Sequence, residues 1–415
     1  MKRVTVVCIE CSEDHGLDLR SYRCRRCGGP LEVRVEAERA FSLSSLSGRV
    51  QSVWRYAELL PDLGSPVTLG EGMTRLVRCD RLAKAVGVRE LYVKLEGTNP
   101  TGSFKDRGIS VGVTVALRAG ASRVVCASTG NTAASLAAYA ARAGLECAVL
   151  VPKGKIASGK LFQARLFGAV VCEVSGTFDD ALRTALGEAE SIGAYVLNSV
   201  NPWRLEGQKT AAFELWEQRS GDTSFDVVVP VGNAGNISAI WKGFEELHVH
   251  GLVRELPRMI GVQSSGAAPL ARMMRLGLEE PAWVDDPQTV ASAIRIGRPV
   301  NWKRAVRAVR RSGGSIYEVD DSEILEAMRL MATTEGIATE PAGAAPVALL
   351  KSKVESGELP RDVAYVCIAT GHHLKDPNPS LVAWNEPVPV EEYLARARVH
   401  QARLQGIGSS RTKEL

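Results

Sequence analysis

Between residues 91 and 247 the chain alternates short, near-continuous apolar runs with longer runs whose apolar residues recur every third or fourth position. "LYVKLE", "SRVVCAS", "LECAVLVP", "AVVCEVSG" and "AYVLNS" predict strands, and "FDVVVPVG", "RMIGVQ" and "DVAYVCIATG" extend the series towards the C-terminus. Among them, "NTAASLAAYAARAG", "KIASGKLFQARLFG", "FDDALRTALGEAESIG", "WRLEGQKTAAFELWEQR" and "NISAIWKGFEEL" predict helices. Strands apolar on both faces belong to parallel sheets covered by helices on each side, so the expected fold class is α/β. The number of units suggests two such sheets.

A further helix is expected after "NPTGSFKDRG", Asn99 to Gly108, running to Gly120. Ser103 followed three residues later by Asp106 has the spacing of a capping box. Lys105 then falls in the first turn, where the helix dipole disfavours a cation. The same field, with burial, would lower the amine's pKa and favour the neutral nucleophile. An exposed lysine in an ordinary capped helix fits this stretch equally well.

In open α/β sheets ligands bind outside the carboxyl ends of the strands, and three loops stand there. "STGNTAAS", Ser128 to Ser135, puts hydroxyls, a glycine and an amide at a helix N-terminus, a good carboxylate receptor. "VGNAGN", Val231 to Asn236, allows close backbone approach to a phosphate. "TGHHLKDP", Thr370 to Pro377, places a hydroxyl at a strand's end. Its two histidines lack a third ligand at metal spacing, so no catalytic metal is expected there. Singly, each loop is as readily an ordinary cap or turn. Together, a Schiff-base lysine, a phosphate cradle, a carboxylate seat and a strand-end hydroxyl are the set that pyridoxal phosphate requires.

The N-terminus carries separate chemistry. Cys8 and Cys11 in "CIEC", then Cys24 and Cys27 in "CRRCGG", are two C-x-x-C pairs suited to a closed tetrahedral zinc site. The other five of the nine cysteines stand singly and read as packed thiols. With 415 residues, 45% hydrophobic and 24% charged, the chain can bury a large core. A net charge of +4 from mixed signs leaves no footprint for nucleic acid. Met1 to Glu10 has too short an apolar run for a signal peptide and no segment approaches a membrane span, so a cytoplasmic location is expected.

"NPTGSFKDRG", "STGNTAASLAAYAARAG", "NSVNPWRLEGQKT", "VGNAGNISAIWKGF", "EPAGAA" and "TGHHLKDP", in this order from about Thr68 to Pro377, resemble the signature blocks of threonine synthases. The cysteine pairs resemble a zinc-ribbon extension seen on some microbial members. The resemblance implies two doubly wound parallel-sheet domains of the tryptophan-synthase-β-like kind (fold type II), preceded by a small zinc ribbon. The expected division is a ribbon at 1–34, a large cofactor-binding domain at 35–98 and 197–390, a small domain at 99–196 and a tail at 391–415, of which polar "RVHQARLQGIGSSRTKEL" is expected to fray or pack on a partner.

By the same resemblance Lys105 carries the cofactor, and Asn131 meets its phenolic oxygen. Gly232, Asn233, Ala234, Gly235 and Asn236 bind its phosphate, and Thr370 meets the pyridine nitrogen. Ser128, Thr129 and Thr132 surround the substrate carboxylate, and Asn198, Ser199, Arg204 and Asn236 hold the substrate's own phosphate. The implied reaction turns O-phospho-L-homoserine and water into threonine and phosphate, in a homodimer. A cysteate synthase or a threonine/serine dehydratase of the same fold is the alternative, and a non-catalytic zinc-ribbon scaffold a distant one. Two positions depart from the family pattern: His373 replaces a glycine, and Trp203 replaces a phenylalanine in a way that could narrow the pocket.

Overall fold

The computed structural model describes residues 2–154, 161–189, 191–376 and 388–410. The chain opens with a hairpin of β1 (Arg3–Cys8) and β2 (Leu31–Glu36), then runs through β3 (Leu76–Arg78), α1 (Asp80–Val86) and β4 (Glu90–Leu95). From α2 (Lys105–Arg118) it alternates through β5 (Arg123–Ala127), α3 (Asn131–Ala143), β6 (Glu146–Pro152), α4 (Phe162–Leu166), β7 (Val170–Val174), α5 (Phe178–Glu188) and β8 (Ala194–Val196). It returns through α6 (Trp203–Gln208), α7 (Thr210–Gln218), β9 (Asp226–Pro230), α8 (Gly235–Val249), β10 (Met259–Ser264) and α9 (Pro269–Leu276). Then come α10 (Trp302–Arg311), β11 (Ile316–Val319), α11 (Asp321–Glu335), α12 (Pro341–Glu355) and β12 (Ala364–Ala369). A helix α13 (Val390–Ser410) forms a separate unit.

Two sheets result, in orders β11-β10-β9-β12-β4-β3 and β7-β6-β5-β8. Every pairing in them is parallel except β3 on β4. β12 is central in the larger sheet, with Val366 opposite both Tyr92 and Val227, and all its residues are buried. β9 is likewise buried throughout, the pattern expected of a strand covered on both faces. β7, at a sheet edge, has no fully buried residue. Residues 123–196 supply the whole smaller sheet.

The hairpin is docked on elements of both sheets. The Tyr22 hydroxyl accepts from the Val196 N–H (2.8 Å), and the Tyr195 hydroxyl donates to the Leu19 carbonyl (2.6 Å). On the other side Lys242 of α8 donates to the Val33 carbonyl (2.7 Å), and Arg307 of α10 to the Glu32 carboxylate (2.7 Å).

Several expectations change. Ser103 and Asp106 form no capping box: the Ser103 hydroxyl has no partner, and the Asp106 carboxylate accepts from the Thr101 N–H (2.7 Å) and hydroxyl (2.6 Å). The chain before α2 is held instead by β12's end, where Phe104 donates its N–H to the Thr370 carbonyl (3.0 Å). The helix expected over 203–219 is two, α6 and α7, meeting at Lys209. The helix expected from Lys155 is described only as the short α4, its first residues lying outside the described ones. No element is expected from the sequence between 264 and 361, yet α9, α10, β11, α11 and α12 lie there, the last of them buried with Pro346 inside it. The tail is helical over Val390–Ser410, and residues 411–415 lie outside the described ones.

Candidate active site

α2 and α6 meet backbone to backbone. A Cβ on Gly108 would stand 2.7 Å from the Arg204 carbonyl, and one on Gly207 1.8 Å from the Arg107 carbonyl, so only glycine fits the crossing. The contact brings together the first turns of both helices, which carry Lys105 and Arg204.

Lys105 is half-buried, its Nζ 4.2 Å from the Phe104 ring centroid. Burial brings its pKa down to about 7; the Arg204 charge adds to the shift and Glu340 opposes it. This is the depressed amine expected from the sequence. Its dominant cause is desolvation.

Arg204 is 1% exposed, and its Nε, Nη1 and Nη2 have no hydrogen-bond partner among the described residues. Burial pulls its pKa down to about 10. Trp203 beside it is wholly buried and packs in the core cluster that includes Cys126 and Tyr195.

The strand-end loops carry the other candidate groups. Thr370, after β12, is buried with an unpartnered hydroxyl. Asn131 opens α3, and its Nδ2 donates to both Glu340 oxygens at 3.0 Å. Ser128 and Thr129 are partly exposed, Thr132 is buried, and the Ser128 hydroxyl accepts from the Gly130 N–H (3.2 Å). In the loop after β9, a Cβ on Gly232 would stand 3.0 Å from the Ala293 carbonyl, and Ala234 adopts a left-handed φ of 63°. A non-glycine residue held there stores strain, common where backbone N–H groups are arranged for a ligand. Gly235 starts α8, and the Nδ2 of buried Asn236 has no partner.

Two predicted substrate residues are engaged differently. Asn198 closes a reciprocal pair with Ala127, accepting from its N–H (2.9 Å) and donating to its carbonyl (2.8 Å). These two bonds fix the start of the Ser128 loop and leave one Nδ2 hydrogen over. Ser199 offers its carbonyl to Asn301 (2.9 Å).

Glu340 was assigned no role from the sequence. It is buried before the N-terminal turn of α12, and burial raises its pKa while the Asn131 hydrogen bond opposes the rise. A Cβ on Gly371 would lie 2.5 Å from its Oε1. An acid next to a helix-starting proline was the available signal, but its 209-residue separation from Asn131 hid the contact. His373 is exposed and needs no positive φ, so the missing family glycine leaves no strain here.

Three buried polar groups without partners among the described residues (the Arg204 guanidinium, Asn236 Nδ2 and Thr370 Oγ1) thus accompany a depressed lysine and a glycine-lined loop. That donor set fits pyridoxal phosphate and a phosphorylated substrate. At the other site the four Sγ atoms of Cys8, Cys11, Cys24 and Cys27 lie within 4.8 Å of one another, with Cys8–Cys27 at 3.4 Å and Cys11–Cys24 at 3.6 Å. Tetrahedral zinc with four thiolates needs sulfurs about 3.8 Å apart. Backbone N–H groups of Glu10 and Arg26 approach the Cys8 and Cys24 sulfurs at 3.4 Å, as in a metal knuckle. The cluster is compatible with a zinc ribbon.

A family model described as pyridoxal-phosphate dependent enzyme matches residues 67–371. The threonine synthase of Methanocaldococcus jannaschii is 50% identical over 389 residues, 92% of this chain and 96% of that one. That of Mycobacterium tuberculosis is 50% identical over 342 residues, 81% and 92% of the two chains. Among solved structures, the processed form of threonine deaminase isoform 2 from Solanum lycopersicum shares the fold, with 21% identity and a TM-score of 0.60 over 74% of this chain and 85% of that one. Maize serine racemase, at 20% identity and a TM-score of 0.62 over 79% and 93%, shares it too. With a family model matching residues 67–371 and half of the residues shared with threonine synthases over most of its length, the chain belongs to the threonine synthase family of pyridoxal-phosphate-dependent enzymes.

Proposed function

We propose that this chain converts O-phospho-L-homoserine and water into L-threonine and phosphate. The observation that carries the reading is Arg204, wholly buried, unpartnered and close enough to depress Lys105. Such a charge is costly until an anion completes it, and a planar fork matches a phosphate ester. The extensive identity with threonine synthases supports the reaction.

Pyridoxal phosphate, when bound, supplies an electron sink that makes protons near the amino-bearing carbon removable. Lys105 would hold it and then move protons, because an amine with a pKa of about 7 takes and gives protons readily at neutral pH. Gly232, Asn233, Ala234, Gly235 and Asn236 would bind the cofactor phosphate through N–H groups that the left-handed Ala234 helps converge. Asn131 would meet the phenolic oxygen and Thr370 the ring nitrogen. Ser128, Thr129 and Thr132 would seat the substrate carboxylate. Arg204, Ser199 and Asn236 would hold the substrate phosphate, with Asn198 fixing the neighbouring backbone. The four ribbon cysteines would hold a structural zinc. The reading extends to a cytoplasmic homodimer without nucleic-acid partners; no helix among the described residues is long and apolar enough to cross a membrane.

The test is incubation of cofactor-loaded protein with O-phospho-L-homoserine, products being identified by mass spectrometry. Threonine and phosphate in equal amounts, absent with Lys105→Ala, are expected. Turnover of O-phosphoserine with sulfite alone would make the chain a cysteate synthase. 2-Oxobutyrate as the main product would make it dehydratase-like.

A further inference from the structure

Asn301, 2% exposed at the start of α10, lies between the two loops assigned to phosphates. Its backbone N–H donates to the Asn233 carbonyl (3.2 Å) in the cofactor loop, and its Nδ2 donates to the Ser199 carbonyl (2.9 Å) in the substrate loop. Its Oδ1 accepts from Arg304 Nη1 at 2.6 Å. Arg304, itself 4% exposed, turns Nη2 to the Leu31 carbonyl at the start of β2. One buried chain of hydrogen bonds therefore joins the cysteine hairpin to Ser199 and Asn233. Nothing in the sequence marks Asn301.

We propose that Asn301 is a positioning residue for the substrate's phosphate, and that Arg304 makes its setting depend on the docked ribbon. The proposal rests on the functional reading above, which gives Ser199 to that phosphate. The division of labour follows from which atoms bond. The Ser199 loop is held by a side-chain donor, and the Asn233 loop by a backbone N–H that any residue keeps. Changing the side chain must therefore disturb substrate binding far more than cofactor binding. Arg304 matters because it saturates Oδ1, which fixes the amide's rotation and leaves Nδ2 aimed at Ser199.

The deciding variant is Asn301→Asp, which keeps the shape, the backbone N–H and an acceptor for Arg304 and replaces the donor to Ser199 with a carboxylate oxygen. Because that adds a negative charge, the neutral Asn301→Leu must shift KM in the same direction for the positioning role to stand. In the holoenzyme, KM for O-phospho-L-homoserine should rise about tenfold with kcat little changed, as for a buried acceptor left unpaired. The affinity of the apoprotein for pyridoxal phosphate, read by quenching of tryptophan fluorescence, should change less than about threefold. Arg304→Met should raise KM in the same direction, and the double variant should match Asn301→Asp instead of multiplying the two effects. A KM unchanged in Asn301→Asp, or a loss of cofactor affinity as large as that of substrate, overturns the positioning role. Multiplying effects overturn the link through Arg304. If the wild-type protein does not turn over O-phospho-L-homoserine, the functional reading itself fails, and the titration of inorganic phosphate into the wild type and Asn301→Asp by calorimetry decides the proposal alone: a weaker affinity in the variant supports it, an equal one sinks it.

Discussion

Arg107 and Arg204 are both wholly buried, on helices that touch at two glycines, yet their surroundings are opposite. The Arg107 guanidinium is fully engaged by two carboxylates, Glu96 (2.6 and 2.7 Å) and Glu214 (2.5 and 2.7 Å), with Thr74 and Thr210 completing its donors. Lys94 shares Glu214 at 2.7 Å. Burial pulls the Arg107 pKa down, but the Glu214 and Glu96 carboxylates outweigh it and hold the group well above the ordinary arginine value, while burial lowers Arg204, which faces no carboxylate, to about 10. A buried charge persists when it is paired in the fold or when the fold keeps it for a ligand. Arg107 is the first kind, clamping β4, α2 and α7 beneath Lys105. Arg204 has no such pairing among the described residues, and the substrate phosphate of the proposed function would supply it.

Breaking the paired arginine should have the largest effect. Arg107→Ala leaves buried Glu96 without its ion-pair partner and Glu214 with Lys94 alone, and denaturant unfolding should show a loss of about 3–5 kcal/mol. A loss under about 1 kcal/mol would mean that the cluster is not the clamp described. The unpaired arginine should behave inversely. Arg204→Met should leave the apoprotein's stability unchanged or slightly raised, while kcat/KM for the phosphorylated substrate falls roughly 10- to 100-fold, mostly through KM. If Arg204→Met unfolds the protein as Arg107→Ala does, the contrast is wrong.

Inorganic phosphate sharpens the same contrast. At a concentration about 10 times its Kd it should stabilise the wild-type cofactor-loaded protein, whose cofactor loop is already filled, by about 1.4 kcal/mol, seen as a raised Tm, and should not stabilise cofactor-loaded Arg204→Met. The smallest effect concerns pH. Because burial has brought Lys105 down to about 7, its neutral, reactive form grows as pH rises through that value. The initial rate of cofactor capture by the apoprotein should climb about tenfold between roughly pH 6 and 8 and flatten above it. A rate still climbing about tenfold per pH unit near pH 9 would indicate an ordinary lysine.

The elements around the site were readable because each buries a recognisable face. β5, β6, β9 and β12 are short apolar runs, and α3 and α8 follow them at loops rich in glycine, serine and asparagine. The stretch from 264 to 361 was not readable to the same degree. β11 has only four residues, and α12 is buried along most of its length, so it lacks the polar face that reveals a helix. At Ser103 the local signal was present and the tertiary contact with Thr370 overrode it.

The sequence by itself determined the alternation of strands and helices between residues 91 and 263, the loop that carries Lys105, the glycine-rich turns proposed to bind anions and the paired cysteines. All of these depend on residues close together along the chain, where periodicity and spacing act directly. Only the tertiary structure decided which of two buried arginines is paired, that Asn131 meets Glu340, that Asn198 pairs with Ala127, and that Arg304 reaches from Asn301 to the ribbon. Each is a contact between segments apart in sequence or an absence of one. A hydrogen bond or an unpaired charge is a property of two places at once, and only folding determines which places meet.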